Sequence, residues 1–282
     1  MPMNYIFIGN PGNGKATLLN ILCNDAKFKG GYAVGTGLTT VHQRVTIGGI
    51  TYTDTPGLND PDEKQRRKSC EEISTALKNG GDYKVIFVVG EKNGRVLAED
   101  SATMNMVLTA APEIRMNKYG VIVNQVSAKT AALPAAGDVS KAAWAAYLFS
   151  KRPDLSTGHL MFLPRIAELE DVSSESMNFG KVRGLSKIDA FIKFVTQCPV
   201  INLTPSNVTA LDYRQIARFE AESKAQEEAL KNCKAKIEEL KRLLEANNKS
   251  GGFSWGKVAG AAVGFLAGGP LGSLIGMEAC KE

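Results

Sequence analysis

Over the first two-thirds of the chain, short apolar runs alternate with longer stretches of mixed polarity. The apolar runs cover 5–8, 45–47, 50–52, 85–89, 121–123 and 160–163, each of strand length. Between several of them lie 14–24, 63–79, 98–111 and 141–150, each long enough for a crossover helix, and a last helix is predicted over 187–197, before Pro199. Strands that alternate with helices imply an α/β fold with a mainly parallel sheet covered on both faces. One pair departs from that rule. The segment 45–52 carries Gly48-Gly49 at its centre and reads as a hairpin.

The pattern then changes, which predicts four regions. Residues 1–200 form the α/β domain, 201–209 a linker around Pro205, 210–249 a helical extension and 250–282 an apolar tail. From 213 to 248 there is no Pro or Gly, and charges of both signs are interspersed. Ile216, Phe219, Ser223, Gln226, Leu230, Cys233, Ile237, Leu240 and Leu244 fall at alternating three- and four-residue steps. That register fits a coiled coil and equally an amphipathic helix folded back on the domain, since Ser223 and Gln226 sit on the seam.

In the tail, Gly256, Gly260, Gly264, Gly268, Gly272 and Gly276 recur at every fourth position among Ala, Val, Leu, Phe and Ile. Glycine costs a solvated helix about 1 kcal/mol each against Ala. In a bilayer or packed assembly the same stripe lets helix backbones approach closely, so the pattern reads as a glycine zipper. The uncharged run 258–277 would reach across a hydrocarbon core of about 30 Å at about 1.5 Å per residue. Pro270 would divide it into a hairpin or re-entrant element, and packing on the protein is a further option. Lys249 and Lys257 before the run, with Glu278 and Glu282 after it, place the domain on the cytosolic face of a membrane.

Composition removes other classes. The net charge is +5 over 282 residues, with no Lys/Arg block, so nucleic acid is not an expected partner. The five cysteines are scattered with no CxxC pair, which fits free thiols in a reducing compartment. With two histidines no His-based metal site is expected, and no signal peptide is read at the N-terminus.

The candidate chemistry lies in the strand–turn–helix at 6–17, spaced Gly9-x-x-x-x-Gly14-Lys15. Glycines there let backbone wrap a phosphate closely. The following helix N-terminus aims N–H groups and partial positive charge at the anion. Asn10, Pro11, Gly12, Asn13, Gly14, Lys15, Ala16 and Thr17 are therefore assigned to phosphate binding, with Lys15 bridging the outer phosphates. The motif asks for Ser or Thr after the lysine, to place a hydroxyl on Mg²⁺, and this chain has Ala16. Thr17 cannot substitute, because one residue rotates a helical side chain by about 100°. The expectation is a weaker hold on Mg²⁺ and slow hydrolysis.

About forty residues on, Asp54-Thr-Pro-Gly57 ends a strand. Asp54 would reach Mg²⁺ and the Gly57 N–H would meet a γ-phosphate. Between the two motifs, Thr39 or Thr40 can supply a hydroxyl to the metal and γ-phosphate. After the strand 121–123, Asn124-Gln125-Val126-Ser127 stands where a GTPase carries Asn/Thr-Lys-x-Asp for the base. Gln125 lacks the ammonium and Ser127 the carboxylate, which weakens guanine selectivity. Leu58 stands where many small GTPases keep a catalytic glutamine, and His42 is the candidate catalytic residue, acting from a dimer partner.

These motifs resemble a family. The phosphate loop, Leu38-Thr39-Thr40-Val41-His42-Gln43, Asp54 through Asp60, and the run from Val85 through Gly94-Arg95 to Glu99-Asp100 are similar to the immunity-associated GTPases (GIMAP or IAN type) over about residues 4–195. Septins and chloroplast import GTPases are the next nearest fit. The resemblance implies GTP/GDP and Mg²⁺, a Ras-like sheet, homodimerisation through the nucleotide face and a C-terminal helical extension with a membrane anchor. It implies that Lys15 contacts phosphates, Thr39 is the switch threonine and Asp54 the metal-side acid. Ala16, Gln125 and Ser127 depart from the pattern. Three functions fit: a membrane-associated GTPase switch, a nucleotide-binding scaffold with little hydrolysis, or a membrane-perturbing, self-assembling protein gated by its nucleotide domain.

Overall fold

A computed structural model of the chain describes residues 3–29, 39–60, 62–92, 95–114, 118–127, 130–131, 159–169 and 179–215, with scattered positions between 218 and 238. Two compact units divide it, 1–223 and 224–282.

In the first unit the strands are β1 (Met3–Ile8), β2 (Gln43–Ile47), β3 (Ile50–Asp54), β4 (Gly81–Lys92), β5 (Arg95–Val96), β6 (Tyr119–Val126), β7 (Leu160–Pro164) and β8 (Ile201–Leu203). The helices are α1 (Lys15–Cys23), α2 (Glu63–Lys78), α3 (Ala98–Ala110), α4 (Phe179–Arg183) and α5 (Ser186–Gln197). The sheet runs β2-β3-β1-β4-β6-β7, parallel except for β2, with β5 and β8 antiparallel to the two ends of β4. The expected mainly parallel α/β sheet is therefore present. So is the β2–β3 hairpin, whose Gly48 and Gly49 both take positive φ, 59° and 80°. That is the backbone a two-residue turn needs to match strand twist.

Buried parallel strands are apolar on both faces, and their alternation sorts two cores. Ile6, Ile8, Phe87, Val89, Val121 and Val123 pack with Ile73 and Leu77 of α2 and Met104 and Leu108 of α3. Phe7, Ile86, Val88 and Ile122 pack with Leu18 and Ile21 of α1 and Ile188, Phe191 and Val195 of α5. Helix α2 starts where Asp62 accepts the Lys64 N–H, with Glu63 in the first turn and Lys78 in the last, both signs suited to the helix dipole. Lys84 of β4 is buried and donates to the Thr196 carbonyl near the end of α5, again a cation at a helix C-terminus.

The segment expected as a linker, 201–209, is part of this unit. Ile201–Leu203 pairs with Gly81–Tyr83, Thr209 N–H donates to the Ala110 carbonyl, and Val208 and Leu211 are buried. The reason is a short alternation, Ile201 and Leu203 inward and Asn202 outward, that completes the edge of β4 below β6.

In the second unit the described positions, 225, 228, 229, 232, 233 and 235–238, are helical. Of the heptad residues there, Cys233 is half-buried and Ile237 is 42% exposed. The expected helix at 141–150 and the whole glycine tail, 250–282, lie outside the described residues. Among the described residues no helix is long and apolar enough to cross a membrane.

Candidate functional site

Parallel strands deliver their C-terminal ends to one edge, and the loops there make the site. Between β1 and α1 the loop turns at Gly12 and Gly14, with φ of 80° and 85°. Gly14 also caps α1 without any side-chain cap, and the first turn holds no acidic residue, so the helix N-terminus is left for an anion. A Cβ on Gly14 would lie 2.6 Å from Asn124 Nδ2. The base loop and the phosphate loop are thus pressed together, and Asn124 Nδ2 donates to the Asn13 carbonyl at 2.8 Å.

Lys15 Nζ donates to the Gly9 and Asn10 carbonyls at 2.9 and 3.1 Å and is 7% exposed. Burial pulls its pKa below the usual lysine range, while Asp54 and Asp100 work the other way. Asp54 ends β3 opposite Phe7 and is 1% exposed. Its Oδ2 accepts the Thr39 hydroxyl at 3.0 Å and its Oδ1 is buried with no partner. Burial raises this carboxyl, opposed first by Lys15. Of the two candidate threonines, Thr39 is the one whose hydroxyl reaches Asp54; Thr40 is exposed. Gly57 lies against the phosphate loop so closely that a Cβ would sit 2.1 Å from Pro11 Cδ.

An orphaned buried carboxylate oxygen beside a hydroxyl is a donor set that suits a hard, oxygen-seeking cation such as Mg²⁺. Ala16, half-buried at the start of α1, adds no ligand, and Thr17 is the next residue on the helix. Among the described residues no group of three His, Cys, Asp or Glu could hold a metal.

At the base loop Gln125 is exposed with φ 57°. Ser127 is occupied locally. Its N–H donates to Glu91 Oε2 at 2.9 Å, its hydroxyl oxygen accepts the Thr130 N–H at 3.2 Å, and its carbonyl accepts from Ala131. Ser127 thus caps the turn that leads to Thr130 and Ala131, which accounts for a short hydroxyl at that position. His42 is tied to α2: Glu72 Oε2 lies 2.6 Å from its Nδ1 and 3.2 Å from its N–H. The geometry therefore gathers residues 10–17, Thr39, Asp54, Gly57 and Asn124 around one loop, with Gln125 and Ser127 at its rim and His42 held by a helix.

Sequence reasoning assigned no role to Asp100. It is 1% exposed and three donors converge on it: Asn10 Nδ2 at 2.8 Å, Asn13 Nδ2 at 2.9 Å and Gly90 N at 2.8 Å. The available signal was the acid pair of the Gly-Arg-x-x-x-Glu-Asp stretch, together with two asparagines in the phosphate loop.

Residues 4–124, which hold the phosphate loop, Thr39, Asp54 and Asn124, match the family model described as 50S ribosome-binding GTPase. This stretch is a P-loop GTPase domain. Guanine nucleotide and Mg²⁺ are the ligands of such a domain. No curated protein matches the chain. Among solved structures, Era from Aquifex aeolicus bound to GDP.AlF4- is similar at 18% identity, with a TM-score of 0.42, over 69% of this chain and 57% of that one. Toc33 from Arabidopsis thaliana with GDP and Mg²⁺ is 18% identical, TM-score 0.44, over 72% and 88%. NFeoB from S. thermophilus is 15% identical, TM-score 0.38, over 74% and 65%. The chain thus spans little more than half the length of the Era chain it matches.

Proposed function

We propose that this GTPase domain works as a guanine-nucleotide switch that turns over slowly, dimerises through its nucleotide face and is held on membrane lipid by residues 251–277 of its tail. The observation that carries the nucleotide half is the phosphate loop, with Lys15 buried against its own loop carbonyls and the Asp54–Thr39 pair beside it. A bound phosphate would take over from the Gly9 and Asn10 carbonyls as partner of the lysine. Thr39 and Asp54 would hold Mg²⁺, which supplies charge neutralisation between the phosphates. Because Ala16 offers no oxygen, the protein contributes one ligand fewer than the motif intends, and slow hydrolysis follows.

The Asn124–Asn13 link is what ties the base end of the site to the phosphate end. With Ser127 used as a cap, guanine selectivity rests on the loop backbone and on Gln125 more than on a carboxylate. His42 keeps its proposed part in hydrolysis only if it leaves Glu72, which a change of the loop before β2 on dimerisation would permit.

The six-glycine stripe supports membrane attachment, and the exposed Ile237 on the heptad seam fits self-association of the extension. Sedimentation with liposomes tests the membrane half. The full chain is expected to co-sediment, and a chain ending at 249 to stay in solution. Equal partitioning of the two would remove the tail from the function.

A further inference from the structure

We propose that Asp100 is a positioning residue for the phosphate loop: by accepting from Asn10 and Asn13 together, its carboxylate sets the loop in the shape that receives phosphate. This rests on the nucleotide-binding reading above and extends it to a residue outside every phosphate-binding motif.

Two side chains of one short loop reach the same atom. Asp100 Oδ1 accepts both Asn10 Nδ2 and Asn13 Nδ2, and Oδ2 accepts the Gly90 N–H. Neither amide can turn over freely. Asn10 Oδ1 accepts the Thr103 hydroxyl at 3.0 Å and the Asn59 N–H at 3.1 Å, and Asn13 Nδ2 also donates to the Val88 carbonyl at 2.9 Å. Asp100 therefore joins the phosphate loop to the end of β4, and through Asn10 to the segment that follows Asp54 and Gly57. Gly90 is close as well, where an added Cβ would lie 3.2 Å from Asn13 Oδ1.

All three partners of Asp100 are donors. A carboxylate can accept from all of them, whereas a protonated acid turns an O–H toward one. The clamp is therefore complete only when Asp100 is ionised. Burial raises its pKa to about 6, against the opposing effect of its three hydrogen bonds and of Lys15. Lys15, on the loop itself, is the cation that favours the ionised form, and Asp54 of β3 acts on the same lysine. Glu99 precedes Asp100 on its own helix, and Glu91 follows Gly90 on β4 with its carboxylate engaged at Ser127. The sign is then fixed: above about 6 the clamp is closed, and it opens as pH falls through that value. Nucleotide affinity should fall with it.

The experiment is GDP binding, with Mg²⁺, by the full chain between pH 5.5 and 8. The terminal phosphate of GDP titrates in the same window, at about 6. The informative quantity is thus the ratio of wild-type affinity to that of Asp100→Asn, in which the phosphate contribution cancels. Asp100→Asn is nearly isosteric and mimics the neutral acid. It is expected to bind GDP about tenfold more weakly at pH 7.5, with the ratio approaching one at pH 5.5. Asn13→Ala, which removes one donor and keeps the acid, is expected to weaken binding at pH 7.5 as well and serves if the first variant does not fold. A ratio that stays constant across this range, or wild-type affinity in both variants, overturns the proposal alone. Absence of GDP binding by the wild type at every pH overturns the nucleotide-binding reading and this proposal with it.

Discussion

Replacing Lys15 with Met is expected to lower GDP affinity about hundredfold or more while leaving the domain folded. The lysine is the only side chain of the loop that brings full positive charge to the phosphates, and removing one partner of a buried charged pair costs roughly 2–5 kcal/mol. At about 1.4 kcal/mol per factor of ten, the middle of that range is about three-hundredfold. The fold does not depend on the charge in the same way. Burial already pulls the lysine pKa down, which means that the empty domain accommodates its ammonium at a cost. Met fills similar volume without that cost, at the loss of two bonds to the Gly9 and Asn10 carbonyls. Thermal melting of the unliganded Lys15→Met protein is therefore expected within about 5 °C of wild type. A large drop in melting temperature would make Lys15 a structural residue first.

Ala16→Ser is expected to act in the opposite direction. A hydroxyl on the residue after the lysine supplies the missing oxygen, so Mg²⁺ should bind the nucleotide complex about tenfold or more tightly, on the scale of roughly 1.5–3 kcal/mol for a hydrogen bond or ligand contact to a charged group. Ala16 is half-buried, leaving a small added oxygen room on its exposed side. Single-turnover GTP hydrolysis at limiting Mg²⁺ should rise in parallel. Titration of Mg²⁺ against GDP-bound wild type and Ala16→Ser checks this, and superimposable curves would show that Ala16 does not limit metal binding.

The parts of the fold that were legible in the sequence are those set by local pattern. Continuous apolar runs marked β1, β6 and the centre of β4, because strands buried on both faces have no polar alternation to confuse them. Gly48-Gly49 marked the hairpin, since only glycine takes two successive positive φ values without strain. What stayed hidden depends on pairing at a distance. β4 extends to Gly81–Lys92, well beyond its apolar centre, because Asp82 and Lys84 are satisfied by Asn202 and the Thr196 carbonyl, 120 and 112 residues away. β8 has only Ile201 and Leu203 to signal it, and they matter because β4 leaves an edge there.

The site divides in the same way. The phosphate loop and Asp54 could be read because backbone conformation and metal chemistry restrict those positions to few residue types. The use of Ser127 as a cap and of Asp100 as an acceptor could not, because a serine or an aspartate after a strand has many uses. Thr130 decides the first, and Asn10, Asn13 and Gly90 decide the second.

The most direct measurement is competition among GTP, GDP and ATP for the full-length wild-type chain, with and without Mg²⁺. The expected result is displacement of GDP by GTP at comparable concentration, a weaker effect of ATP, and a modest dependence on Mg²⁺ because Ala16 contributes no ligand. Displacement by ATP as effective as by GTP would contradict the guanine-nucleotide assignment, and failure of all three to bind would contradict the phosphate-loop account itself.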